Sequence, residues 1–406
     1  MSSIVLISSG SPATNPRLVK EANALQGAGH DVHVLYSHVV GWADAVDENI
    51  LQKAAWSAEL VGGSPAHHRL EFLISNWWFK CVRRITWRPF RRKRLTRTSL
   101  LLASRTKRHK ADLYIAHNLG ALAAAVIAAK HHGAKAAFDA EDYHHGEFDP
   151  NSTAARITQY VENAWIPQCA ECWSASPLIA ETYQKRFPGL AFHVIDNVFP
   201  LDLQRPFKAD HESVVRLIWF SQTIGAGRGL EPLFEALHAC PNPHWELTLI
   251  GRLDAGFKDQ LRAFQTAFPE ALKVLPPMDE PALFEEMAKH HIGLALETGT
   301  PLNRNLCRTN KLFSFILSGC HLLLTNTRAQ VDFLETHAQC GTLLHLETPE
   351  DWATVIDSLL ENPQRLHKQR QHNWTLGHDL LNWEVEQQKL LSIVSGLLNP
   401  PSHQTA

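Results

Sequence analysis

Ile4-Val-Leu-Ile7, Leu18-Val-Lys-Glu-Ala-Asn-Ala-Leu25 and Asp31-Val-His-Val-Leu-Tyr36 are the stretches whose reading decides the fold. The first is a short β-branched run and reads as a buried strand. In the second, Leu18, Val19, Ala22 and Leu25 recur at helical spacing within Pro16 to Ala28, and Gly27 and Gly29 stop the helix. The third is another strand. A strand, a helix and a strand in this order make a βαβ unit, which implies a parallel sheet.

The pattern repeats outward from there. Asp112 to Ala116 is a strand, Leu119 to His132 a helix, and Ala136 to Asp139 a strand; Cys172 to Ala175 and His193 to Ile195 continue the same sheet. Asn197 to Ser213 reads as a linker. A second α/β series follows, with strands at Val215–Phe220, Trp245–Ile250, Ile292–Leu296 and His321–Leu324 and a helix over 230–239. The 406 residues suit two domains better than one core. The expectation is an α/β chain of two Rossmann-like doubly wound domains, 1–200 and 210–380, with a cleft between them and a last amphipathic helix over 383–398.

Composition excludes little. Lys+Arg 39 against Asp+Glu 41 selects no partner by global charge. The N-terminus has no basic stretch ahead of its short apolar run, so it reads as a strand rather than a signal peptide. No run approaches the roughly 18–20 apolar residues that span a bilayer. The seven cysteines are odd in number and scattered, which reads as reduced thiols; Cys169-Ala-Glu-Cys172 lacks the further ligands of a zinc site. A cytoplasmic chain is expected, peripheral at the inner membrane face.

The chemistry is carried by loops after strands. Strand 215–220 runs into Ser221-Gln-Thr-Ile-Gly-Ala-Gly-Arg-Gly229 and then a helix. Gly225 and Gly227 let backbone approach a phosphate, the helix start offers free N–H groups, and Arg228 adds a charged fork; the bland alternative is an ordinary strand–helix turn. Strand 292–296 ends at Glu297, and after a Gly/Pro/Asn loop Arg308, Asn310 and Lys311 cluster at the start of a helix read as 312–318. Dipole and cations there favour a diphosphate, against a capped, solvent-facing helix start. Gly251-Arg252, after the strand 245–250, reads as a nucleotide-facing turn.

The order of these elements resembles the family 4 glycosyltransferases. Asn15-Pro-Arg-Leu-Val-Lys-Glu-Ala-Asn-Ala-Leu25 with Gly29-His-Asp-Val-His-Val34 resembles their opening motif, and Asp112–His117 and Phe138-Asp-Ala-Glu-Asp142 resemble their two inner strands. Ser174–Pro177 and Val194–Asn197 resemble the end of the first domain. Arg228-Gly229 resembles the basic-glycine pair at the donor diphosphate, Asn310-Lys-Leu-Phe313 with Gly319 the donor-site helix, and Asn382-Trp-Glu384 the start of the helix that crosses back to the first domain. The resemblance implies the GT-B fold and retaining transfer of a hexose-type sugar from a nucleotide diphosphate to a glycan or lipid-linked acceptor, in cell-surface polysaccharide or glycolipid synthesis. It implies donor contacts at Gly225, Gly227, Arg228, Asn310 and Lys311, nucleotide contacts at Gly251, Arg252 and Ser314, and an acceptor-side loop at Gly10, Asn15 and Arg17. His117, Glu141, Asp142 and Glu297 are its catalytic candidates.

The sequence also departs from the family. Where relatives carry two glutamates eight positions apart, it has Leu306 and Ser314, and Glu141 stands where a histidine is often found. No Asp-x-Asp pair is placed to hold Mg²⁺, so neither a metal nor another cofactor is expected. Two other readings share the fold: a sugar-nucleotide 2-epimerase, and a non-catalytic binding protein.

One segment lies outside these motifs. Residues 80–110 hold thirteen Lys/Arg and no acidic residue, with Trp77, Trp78, Phe79, Trp87 and Phe90 before or among them. A solvated helix face is the bland reading, and nothing else in the chain supports nucleic acid. The preferred reading is docking of residues 77–110 to an anionic membrane, at about 1 kcal/mol per basic residue near the surface.

Overall fold

A computed structural model describes residues 1–82, 95–208 and 214–399. The chain divides into two compact units. The first comprises Met1–Asp196, Pro301–Asn303 and the chain from Gln387 onward; the second comprises Asn197–Thr300 and Arg304–Glu386.

The first unit is built on seven strands: β1 (Ser3–Ser8), β2 (Asp31–Tyr36), β3 (Ser57–Leu60), β4 (Leu113–His117), β5 (Lys135–Asp139), β6 (Glu171–Ser174) and β7 (Phe192–Val194). They lie in the order β3-β2-β1-β4-β5-β6-β7, and every pairing is parallel. The helix Pro16–Gly27 links β1 to β2. Its entry is fixed locally: Pro16 occupies the first turn, and the Asn15 side chain accepts a hydrogen bond from the Leu18 N–H at 3.1 Å. The helix Leu119–His132 links β4 to β5 and buries residues all around, as expected of one packed in a core. Ile4, Leu6, Ile115, Phe138 and Trp173 are fully buried at the sheet.

The second unit has six strands: β8 (Val215–Ile224), β9 (Trp245–Leu253), β10 (Leu272–Leu275), β11 (Ile292–Ala295), β12 (His321–Thr325) and β13 (Gly341–Leu344). Their order is β10-β9-β8-β11-β12-β13, again all parallel. Trp219, Leu247, Leu249, Leu294, Leu323 and Trp352 belong to one continuous core.

Three details differ from the sequence reading. β8 does not stop at Phe220 but continues to Ile224 through an irregularity between Phe220 and Thr223, and β9 runs through Gly251-Arg252 instead of turning there. Pairing of the polar residues Thr223 and Arg252 keeps both strands going where apolar character ends. The helix read as starting at Leu312 spans Asn310–Leu317, with Thr309 as its N-cap. The part of the basic segment at 83–94, including Trp87 and Phe90, and residues 209–213 of the linker lie outside the described residues.

Candidate functional site

In each sheet the strand order reverses once. The reversal lies between β1 and β4 in the first unit and between β8 and β11 in the second. Ligands of open parallel sheets bind beyond the carboxyl ends of the strands flanking such a point. Gly10 follows β1, and His117 ends β4. Arg228 follows β8, and Glu297 follows β11.

In the second unit, the loop after β8 turns through Gly227 at φ +69° and Gly229 at φ +78°. A β-carbon on Gly229 would lie 2.7 Å from Leu296 Cβ, so the loop reaches its position against the end of β11 only with glycine there. Arg228 Nη1 donates to Ser221 Oγ at 2.9 Å, Glu231 accepts from the Gly227 N–H at 2.7 Å, and the helix Leu230–Ala239 begins immediately after. Ser221 thus positions the arginine, although its place just after the apolar run gave no signal of it.

Across the reversal, Lys311 Nζ donates to Glu297 Oε1 at 2.9 Å and lies 5.7 Å from the centre of the buried Trp219 ring. Asn310 is exposed at the helix start and accepts from Asn197 Nδ2 at 2.8 Å. Two of the expected donor groups stand differently. Arg308 is buried, bonds Asp332 at 2.8 Å and lies over the Phe333 ring, so it braces the helix start. Ser314 is fully buried and its hydroxyl donates to the Lys311 carbonyl at 3.2 Å, so it has no free face for a ribose. Arg252 is exposed on β9 and Gly251 is buried beside it.

The first unit gathers five ionisable groups where β1, β4 and β5 end. His117 is fully buried. Its Nε2 lies 3.2 Å from Glu21, and its Nδ1 lies 3.2 Å from Glu141 and 3.4 Å from Asp139. Burial opposes its charge, but Glu21, Glu141 and Asp139 outweigh that and push it up to about 10. These carboxylates favour the imidazolium form of His117, with a carboxylate within 3.2 Å of each ring nitrogen, and Glu141 is the partly exposed one of the three. Arg17 donates from Nε to Asp139 and from Nη1 to the Ile195 carbonyl at 2.8 Å. Glu21 accepts from Trp173 Nε1 at 3.1 Å, and burial and Asp139 raise its affinity for a proton. Glu21, His117 and Asp139 have ligand atoms within 4.8 Å of one another, but the Arg17 guanidinium and the imidazolium already supply the positive charge that a metal would bring.

Glu141 is the outlet of this cluster. Asn15 Nδ2 donates to its Oε1 at 2.6 Å, and its side chain is 22% exposed. Its backbone has φ +52°, and Asn118, just past β4, has φ +60°. Among the described residues only His68 shares this left-handed backbone without being glycine. Strain of this kind concentrates at functional sites. Asp142 is taken up differently: its carboxylate accepts from Asn303 Nδ2 at 2.8 Å, while Asn303 Oδ1 accepts from the Tyr143 N–H at 2.8 Å. Burial raises the Asp142 carboxyl's affinity for a proton, and the Asn303 hydrogen bond opposes this. Asn303, Glu21 and Asp139 were not singled out in the sequence; Arg17 and Glu21 stand four apart on a helix, and nothing in the local pattern shows that both are buried.

A separate feature is the helix Arg69–Val82. Leu70, Leu73, Ile74 and Trp77 form one face at i, i+3, i+4, i+7 spacing and point outward, Leu70 at 77% and Trp77 at 66% exposure. Among the described residues no helix is long and apolar enough to cross a membrane.

No protein-family model matches the chain, and no curated protein matches it in sequence. Solved structures match over almost its full length. Anabaena HepE in complex with UDP is 17% identical, covers 98% of this chain and 100% of its own, and has a TM-score of 0.69. Sucrose-phosphate synthase from Thermosynechococcus elongatus is 14% identical, with coverages of 98% and 99% and a TM-score of 0.72. A putative UDP-N-acetylglucosamine 2-epimerase from Listeria monocytogenes is 12% identical, with coverages of 98% and 96% and a TM-score of 0.56. The seven- and six-stranded parallel sheets with their helices are thus those of the glycosyltransferase structures, and the chain has the GT-B fold.

Proposed function

We propose that this chain is a glycosyltransferase that takes its sugar from a nucleotide diphosphate bound by the second unit. The observation that carries the reading is the pair of cationic groups flanking one sheet reversal. Arg228 sits on a glycine loop after β8 and Lys311 beside Glu297 after β11, each at the start of a helix. Two helix N-termini and two cations suit two phosphates and stabilise them as they leave. The ligands named with the HepE structures, UDP and UDP-glucose, support a uridine donor.

The transfer we propose retains configuration, in the manner of family 4 and with a hexosyl donor. The bond from the anomeric carbon to the diphosphate oxygen breaks, and the acceptor hydroxyl oxygen bonds to that carbon on the same face. The acceptor proton passes to the departing phosphate, which needs no metal. Glu141, held by Asn15 and by the His117 imidazolium, orients the sugar or acceptor hydroxyl. Glu297 fixes the Lys311 ammonium. Gly10, Asn15 and Arg17 frame the acceptor side, with Arg17 acting through Asp139.

The acceptor we propose is a glycan or lipid-linked glycan of cell-surface polysaccharide or glycolipid synthesis, met at the inner membrane face. The outward apolar stripe of the helix Arg69–Val82, adjoining a segment of basic residues without acids, supports docking to an anionic membrane. An epimerase shares the fold but has no use for that surface.

The test is thermal-shift and calorimetric binding of UDP, GDP, ADP and their sugars to the wild type, Arg228→Ala and Lys311→Ala. Stabilisation by one nucleotide family is expected. Each variant should lose about 1.5–3 kcal/mol, roughly 10- to 150-fold in Kd. Absence of binding by every nucleotide overturns the reading in favour of a non-catalytic protein. Product analysis separates a transferase from an epimerase, which would alter UDP-N-acetylglucosamine without an acceptor.

A further inference from the structure

On the other flank of the first sheet, His33 on β2, Glu59 on β3 and His109, just after the helix Ser99–Thr106, bring their ligand atoms within 4.8 Å of one another. None of the three belongs to the site described above; β2 and β3 lie on the opposite side of β1 from β4 and β5. We propose that these residues form a binding site for a borderline transition-metal cation of the Zn²⁺ class.

The arrangement around each side chain supports this. His33 Nδ1 lies 2.7 Å from the Ser57 hydroxyl, which itself lies 3.4 Å from the Val32 carbonyl. With the proton on Nδ1, donated to Ser57, the lone pair lies on His33 Nε2. Nε2 is buried and has no hydrogen-bond partner. A histidine anchored by one nitrogen with the other free is the usual preparation of a metal ligand.

Glu59 is also prepared. Arg105 Nη1 holds its Oε1 at 3.0 Å, while its Oε2 faces His109 Nε2 at 2.9 Å. The His109 backbone is fixed by Tyr114, whose hydroxyl donates to its carbonyl at 2.6 Å. The two imidazole rings stack with centres 4.2 Å apart. Entry of a cation replaces the Glu59–His109 hydrogen bond by two metal–ligand bonds and adds the bond from His33.

Two imidazoles and one carboxylate select Zn²⁺, Ni²⁺ or Cu²⁺ over Mg²⁺ and Ca²⁺, which prefer all-oxygen sites. The three residues are only partly buried, so water completes the coordination. The ion would tie the edge strand β3 and its neighbour β2 to the chain leading into β4.

The experiment is calorimetric titration of the full chain, freed of metal by chelation, with ZnCl₂ and with MgCl₂, alongside His33→Asn, His109→Asn and Ser57→Ala. One equivalent of Zn²⁺ and no Mg²⁺ response is expected, with binding lost in both histidine variants and weakened about tenfold in Ser57→Ala. Paramagnetic resonance of one equivalent of Cu²⁺ in the wild type, which needs no variant to fold, should show two coupled imidazole nitrogens. Zn²⁺ binding that survives in His33→Asn and His109→Asn, a stoichiometry well below one, or a Cu²⁺ signal with fewer than two nitrogens overturns the proposal.

Discussion

Glu141 keeps a left-handed backbone although it carries a β-carbon, a conformation that costs about 1–2 kcal/mol outside glycine. Its neighbours over-determine it. The Asp139 carboxylate accepts its N–H at 3.2 Å, and Asn15 and His117 hold its side chain. The same neighbours explain the charge on His117. Its folded value, about 10, lies above the ordinary 6.5, so its contribution to stability is complete below about pH 6.5 and lost as pH rises through about 10. The melting temperature of the first unit should therefore fall between about pH 7 and 10, more steeply than in His117→Gln. His117→Ala, which leaves Glu21 and Asp139 buried without their imidazolium, should cost about 3–5 kcal/mol in denaturant titrations at neutral pH. At this scale the sequence was legible only in part. Arg228, His117 and Glu141 stand out as polar residues at or just past the ends of apolar strands, and Lys311 as a cation at a helix start. Burial is not written locally, so Ser314 reads as a ribose contact although the helix consumes its hydroxyl, and Glu21, enclosed by Trp173 and His117, carries no signal of its role.

Among the elements, the central strands are legible because both faces are covered and their apolar runs are continuous. β3, β10 and β13 lie at sheet edges and are partly exposed, so Ser57–Leu60, Leu272–Leu275 and Gly341–Leu344 lack that pattern. The junction of β8 and β9 shows why glycine matters there. A β-carbon on Gly251 would fall 2.4 Å from the Ser221 carbonyl oxygen, and Gly251 has φ +153°. Gly251→Ala should cost about 1–3 kcal/mol of stability. Because Ser221 anchors Arg228, it should also weaken nucleotide binding, as calorimetry on the folded variant would register. For the helix Arg69–Val82, Ile74→Ser with Trp77→Ser should reduce co-sedimentation with anionic liposomes while leaving the melting temperature nearly unchanged, since both side chains already face solvent. Binding by the wild type should weaken as salt rises.

For the whole molecule, the chain leaves the first unit at Asp196, builds the second, and returns at Gln387. The returning helix Trp383–Leu398 buries Leu390, Val394 and Leu397, and Lys135 donates to the Leu397 carbonyl at 2.6 Å. At about 1.5–3 kcal/mol per buried side chain, those three represent roughly 5–9 kcal/mol. That is comparable with the whole stability of an ordinary domain, about 5–15 kcal/mol. Deleting the chain from Gln387 onward should leave the first unit sensitive to limited proteolysis while fragments of the second persist. The same return sets a timetable during synthesis. A ribosome adding roughly 5–20 residues per second takes about 10–40 s to pass from Asn197 to Glu386. For that interval the first unit waits without the helix that covers it, and nascent-chain chaperones have their longest opportunity on the half of the protein made first.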